Sequence, residues 1–135
     1  MVYFEWNSSW LTGVPVIDQQ HKELVAEVDR FFQAIREGEQ EAALDRILIH
    51  LSEYVEAHFR TEETFMAEAH DPGLPAHKAA HDALRARVKG LVEAHLRDSV
   101  PVTTEVTDYL RDWLVDHLYR TDQKMAEYLR QHPAP

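Results

Sequence analysis

Apolar residues recur along most of the chain at the three- and four-residue spacing of an amphipathic helix. Four such stretches predict helices over about 19–37, 41–69, 75–96 and 102–130, punctuated by Gly38, Pro72, Gly73, Pro75 and Pro101. The first helix aligns Leu24, Val25, Val28, Phe31, Phe32 and Ile35, and the second Leu44, Ile47, Leu48, Leu51, Val55, Phe59 and Met66. The third aligns Leu84, Val88, Leu91 and Val92, and the fourth Val106, Leu110, Trp113, Leu114, Leu118, Met125 and Leu129. Asp18 stands where its carboxylate would cap the first helix, and Gly38 where that helix would stop. No alternating strand pattern competes, and short connections favour antiparallel neighbours. The expected fold is all-α: an antiparallel up-down-up-down four-helix bundle in one domain. Residues 1–18 read as an extended N-terminal arm, whose Tyr3, Phe4, Trp6, Trp10 and Leu11 should pack on the bundle over 19–130.

Several positions on these apolar faces are polar. His21 lies on the first helix, His58 and Glu62 on the second, His77 and His81 on the third, and His117 and Asp122 on the fourth. Residues four apart share a helix face, so each helix presents one or two donors to the interior. His21 is near the start of its helix, His58 and Glu62 late in theirs, His77 and His81 near a start, and His117 and Asp122 in a second half. In an up-down bundle that alternation brings all seven to one layer. The step of five from His117 to Asp122 turns the two about 140° apart on a regular helix. Either the layer uses both edges of that face or a π-type turn intervenes. His50, His70, His95 and His132 lie elsewhere; His95, fourteen residues after His81, is about 21 Å along the axis.

Ionised carboxylates buried without partners would cost several kcal/mol each, a cost that a metal removes. With bridging carboxylates and one bridging oxo or hydroxo, five imidazoles and two carboxylates fill eleven of the twelve positions of two octahedral ions. One position stays open for a small ligand. Octahedral preference and carboxylate bridging favour iron over zinc. Without metal, the five histidines are expected to charge near or below about 6.5.

The remaining composition narrows the function. The chain has no cysteine, which excludes disulfides, thiolate zinc sites, iron–sulfur clusters and a thiol nucleophile. A net charge of −10 disfavours nucleic acid and anionic membranes. No apolar run is long enough to insert in a membrane, and the opening residues lack the basic start of a signal peptide. A cytoplasmic monomer is expected; no particular protein partner is indicated.

Four segments taken in order are similar to the hemerythrin family, specifically the single-domain bacterial hemerythrins. They are Ile17-Asp18-Gln19-Gln20-His21-Lys22-Glu23-Leu24, His58-Phe59-Arg60-Thr61-Glu62-Glu63, His77-Lys78-Ala79-Ala80-His81 and His117-Leu118-Tyr119-Arg120-Thr121-Asp122. The resemblance implies a non-haem di-iron centre with dioxygen as its ligand. One iron would take His77, His81 and His117 and the other His21 and His58, the latter keeping the open position, with Glu62 and Asp122 as bridges.

Apolar residues one step from these ligands are the expected dioxygen pocket: Leu24, Phe59, Trp113, Leu114 and Leu118, with Trp6 or Trp10 as a lid. Leu48 reads as a core position remote from that wall. Di-iron oxygenases in ferritin-like bundles use mostly carboxylates. A ligand set dominated by neutral imidazole favours holding dioxygen over splitting it. The expected role is a dioxygen carrier or store rather than an enzyme. The alternatives are a di-iron oxidase, peroxidase or nitric-oxide-processing enzyme, and delivery of dioxygen to a partner oxygenase.

Overall fold

The computed structural model describes residues 3–132; Met1, Val2 and the terminal Pro133 to Pro135 lie outside the described residues. The helices are α1 (Pro15–Arg36), α2 (Glu41–Glu68), α3 (Leu74–Asp98), α4 (Thr104–Asp116) and α5 (Asp122–Gln131). A π-helical turn, His117–Thr121, joins α4 to α5, so the two form the predicted fourth helix. α1 packs against α2 and α4, and α2 against α3, in an antiparallel four-helix bundle with no strand among the described residues.

The ends of α1 show local chemistry at work. It begins at Pro15, four residues before the predicted start, because a proline at the first position gives up an amide that would have no partner there. Asp18 is therefore inside the first turn and does not cap the helix. Its carboxylate instead holds the arm, accepting from the Thr12 amide and hydroxyl, each at 2.7 Å, and from the Gly13 amide at 3.1 Å. At the far end Gly38 adopts φ 69°, a left-handed conformation that costs glycine little, and the Glu39 amide turns back to the Ala34 carbonyl at 3.0 Å.

The arm packs through its aromatic residues, as expected, but Leu11 does not join them and is exposed. Phe4 and Trp10 are buried, and Phe4 meets Phe32 edge-on at 6.4 Å. The Tyr3 and Phe4 amides donate to Asp29 Oδ1 at 2.6 and 2.9 Å. A short 3₁₀ turn at Ser8–Trp10 lies beside the π-turn. The main core runs from these aromatics through Val28, Phe31, Leu48, Leu51 and Val88 to Leu114 and Leu118. A smaller cluster of Ile17, Met66, Met125 and Leu129 closes the end beyond the histidines. No helix of the described residues is long and apolar enough to cross a membrane.

Candidate metal centre

Six of the seven polar core residues sit on regular helix, and the seventh is brought in by the π-turn. The Asp122 amide donates to the His117 carbonyl, a five-residue bond in place of the four-residue one. The extra residue lets a step of five cover what four normally cover. Both side chains therefore face inward, and His117 Nε2 lies 3.0 Å from Asp122 Oδ1. Of the two arrangements the spacing allowed, the π-turn is the one observed.

All seven residues are at most 3% exposed, with His21, Glu62, His81 and Asp122 fully enclosed. They divide into two groups. Glu62 Oε1 faces His77 Nε2 at 3.0 Å, His81 Nε2 at 3.1 Å and His117 Nε2 at 3.9 Å. Glu62 Oε2 faces His21 Nε2 at 2.7 Å and His58 Nε2 at 3.1 Å. Asp122 repeats the division: Oδ1 lies 3.3 Å from His77 Nε2, and Oδ2 3.3 Å from His21 Nε2. Each carboxylate thus turns one oxygen to a set of three imidazoles and the other to a set of two.

The donor chemistry fits metal ions. His58 donates Nδ1–H to Gln20 Oε1 at 3.0 Å, and His81 donates Nδ1–H to Glu63 Oε2 at 2.8 Å. A neutral imidazole that donates through Nδ1 carries a lone pair on Nε2. Those lone pairs point at carboxylate oxygens, and His81 Nε2 is also 3.1 Å from His117 Nε2. Acceptors converge on acceptors, an arrangement that only cations, protons or metal, can relieve. Both oxygens of Asp122 are buried without a well-directed hydrogen bond, although imidazole nitrogens are within ion-pair range.

Burial opposes charge on each of the shifted imidazoles, and at three of them the carboxylates overcome it. His21 is raised, His77 rises to about 9 and His117 to about 10. Only at His81 does burial prevail and lower the value. The expectation of pKa values near or below 6.5 thus fails at three positions, because a carboxylate oxygen lies 2.7 to 3.0 Å from each ring and a second carboxylate 3.3 to 3.9 Å away. Burial also pushes Glu62 and Asp122 up, but the imidazoles prevail and both lie below their usual range, Glu62 well below.

A pH dependence of the metal-free domain follows. The raised histidines contribute stability that is complete below the unfolded imidazole value of about 6.5 and is lost as pH rises through about 9 to 10. The lowered carboxyls contribute stability that is complete above their unfolded values of about 4 to 4.5 and is lost on acidification. Denaturant midpoints of metal-free protein should therefore peak between about pH 4.5 and 6.5 and fall toward pH 10. A flat profile from 6.5 to 10 would contradict the paired state.

Next to the layer is an apolar cavity of about 30 Å³. Of the five residues expected to form a dioxygen pocket, Leu24, Phe59, Trp113 and Leu114 line this cavity, and Leu118, fully buried in the core beside it, does not. Phe59 stacks on His81 at 3.8 Å and Trp113 on His117 at 4.5 Å, so the wall is fixed to the ligands. The cavity continues between the helices to Leu110, Leu91 and Leu48, so Leu48 is not remote from it. Trp6 and Trp10 do not line it. They pack edge to face on each other at 5.6 Å, within the arm cluster.

A family model described as the hemerythrin HHE cation binding domain matches residues 12–129. The chain belongs to the hemerythrin family. It is similar to a bacteriohemerythrin of Methylococcus capsulatus, 30% identical over 91% of this chain and 94% of that protein. It also resembles a myohemerythrin of Sipunculus nudus, at 28% identity over 90% of this chain and 89% of the relative. The fold superposes on a wild-type hemerythrin crystal structure with a TM-score of 0.88 at 29% identity, covering 94% of this chain and 98% of that one. In this hemerythrin domain the cluster able to hold metal ions comprises Glu62, His77, His81, His117 and Asp122 in one group, and His21, His58 and Glu62 in the other.

The polar residues behind the ligands, Gln20, Glu63 and Arg85, were not singled out by the sequence. They lie on the outer flank of the layer, where charged residues are the rule. The available signal was adjacency: Gln20 precedes His21, and Glu63 follows Glu62.

Proposed function

We propose that this domain holds two iron ions and binds dioxygen reversibly, as a carrier or store. His77, His81 and His117 would hold one ion, His21 and His58 the other, with Glu62 and Asp122 bridging them. The observation that carries this reading is the division of each carboxylate between a three-imidazole set and a two-imidazole set. The smaller set offers one imidazole fewer, and a diatomic molecule would bind on that side. Iron(II) held there would supply the electrons for reversible uptake of dioxygen.

The chain's own residues account for the rest. Gln20 and Glu63 fix the His58 and His81 rings so that their Nε2 lone pairs face inward. Phe59, Trp113 and Leu114 exclude water from the face beside the ligands. A cavity of about 30 Å³ has room for a water, which needs about 10–15 Å³, but its apolar lining gives a water little to bond to. It therefore suits an apolar gas. The predominance of imidazole over carboxylate, and the hemerythrin names of the relatives, favour carriage over turnover.

The test is an optical titration of reduced, iron-loaded protein with dioxygen, followed by purging with inert gas. We expect a charge-transfer spectrum that forms with one dioxygen per pair of irons and disappears on purging. Irreversible oxidation with consumption of a co-substrate would support an enzyme instead. One metal per chain by elemental analysis would remove the basis of the two-ion reading.

A further inference from the structure

Glu62 and Glu63 are consecutive on α2, so their side chains leave the helix about 100° apart. Glu62 enters the histidine layer, whereas Glu63 lies behind it. There Glu63 Oε2 accepts Nδ1–H of His81 at 2.8 Å and pairs with Arg85 Nη2 at 3.0 Å. Arg85 is one turn beyond His81 on α3 and is itself held by Glu56 and Asp82, each at 2.8 Å. Its guanidinium also lies over the Phe59 ring, 5.3 Å from the centroid, and Phe59 stacks on His81 with the planes 5° apart. His81 is thus held along its edge by a carboxylate and across its face by an aromatic ring, and Arg85 touches both.

Among the described residues, His81 is the only one of the five histidines whose Nδ1 meets a carboxylate. His58 Nδ1 meets the neutral amide of Gln20, and His21 Nδ1 is buried without a partner. A carboxylate behind an imidazole fixes its tautomer and makes its other nitrogen a stronger donor. A stronger donor favours the higher oxidation state of the metal it binds.

We propose that Glu63, anchored by Arg85, is a positioning residue that acts through His81, strengthening the three-imidazole site and setting the two metal positions apart in affinity and potential. This rests on the two-ion reading above. The first test is cobalt(II) binding to the metal-free full chain in competition with a chelator. The number of cobalt ions taken up by the parent tests the two-ion reading alone; the ratio of variant to parent affinity at the tighter site tests the role of Glu63.

Glu63→Gln keeps size and a hydrogen-bond acceptor but loses the charge. It should weaken the tighter site about 10-fold, and Glu63→Ala up to about 100-fold. Gln20→Ala should leave the tighter site unchanged and weaken only the other. Arg85→Lys, which leaves Glu63 in place but frees it, should act in the same direction as Glu63→Gln with a smaller effect, and it provides a second reading if a Glu63 variant loses helicity. With iron bound, Glu63→Gln should raise the midpoint potential, and Glu63→Asp should bring it back toward the parent. Parent-like affinity and potential in folded Glu63→Gln and Arg85→Lys overturn the proposal. So does equal weakening of the same site by Glu63→Ala and Gln20→Ala.

Discussion

Replacing His58 with alanine is expected to abolish dioxygen binding, whereas replacing His95 should leave it intact. Both histidines are buried on helices of one bundle, and both make short polar contacts. Their surroundings separate them. His58 Nε2 lies 3.1 Å from Glu62 Oε2 and belongs to the set with only two imidazoles. Removing it leaves that set with a single imidazole, His21. Iron content should fall toward one per chain, and the charge-transfer spectrum should not form. Added imidazole, small enough for the space left by the ring, should restore part of it.

His95 donates Nδ1–H to the Val100 carbonyl at 3.0 Å and meets Asp45 Oδ1 through Nε2 at 2.7 Å. It ties the end of α3 to the following loop and to α2, about 21 Å from His81 along the helix axis. His95→Ala removes two hydrogen bonds whose partners, Asp45 and Val100, water can reach, so it should cost about 0.5–1.5 kcal/mol for each bond, with iron content and dioxygen affinity unchanged. Iron analysis, the dioxygen titration and denaturant midpoints on both variants decide the matter. Equal loss of dioxygen binding in the two would defeat the assignment of a single layer.

The same contrast shows what the sequence made legible. Four helices and their common layer follow from spacing and from alternating positions near helix starts and ends, because side-chain direction on a helix is fixed by geometry. The His117–Asp122 step exposed an irregularity but not its form. Periodicity counts residues per turn and cannot tell a wide site from a helix with one extra residue. Asp18 looked like a cap because it precedes an apolar run; its role in holding Thr12 and Gly13 needed the arm's path, which no local pattern specifies. The raised pKa values of His77 and His117 were hidden for a related reason. Burial alone lowers an imidazole, and only the distances to Glu62 and Asp122 show that attraction prevails. Arg85 was silent in the sequence, and Glu63 was marked only by its place beside Glu62, because polar residues on an outer helix flank look the same whether they support a ligand or face solvent.

Leu114→Ala is expected to accelerate oxidation of the iron pair well beyond what its loss of stability explains. Leu114 is 4% exposed and lines the cavity beside Trp113, which stacks on His117. Truncation should cost about 2–5 kcal/mol through lost contacts and an enlarged cavity. The larger consequence is access. Water and protons promote irreversible oxidation, and the wall that excludes them is almost entirely apolar and gives a water little to hold it in place. Leu48 is unsuitable as an inert comparison because it lines the far part of the same cavity. Leu44 is the better one, since it is buried at 8% exposure near the start of α2 and does not touch the cavity. We expect the oxidation rate under air to fall in the order Leu114→Ala, Leu48→Ala, Leu44→Ala and parent, with Leu44→Ala close to the parent despite a similar loss of stability. Leu48→Ala ranks between Leu114→Ala and Leu44→Ala because it enlarges the part of the cavity away from Phe59 and Trp113, the two rings that stack on His81 and His117. If Leu114→Ala and Leu44→Ala oxidise at the same rate once matched for stability, Leu114 serves packing alone, and exclusion of water must be sought at Phe59 and Trp113.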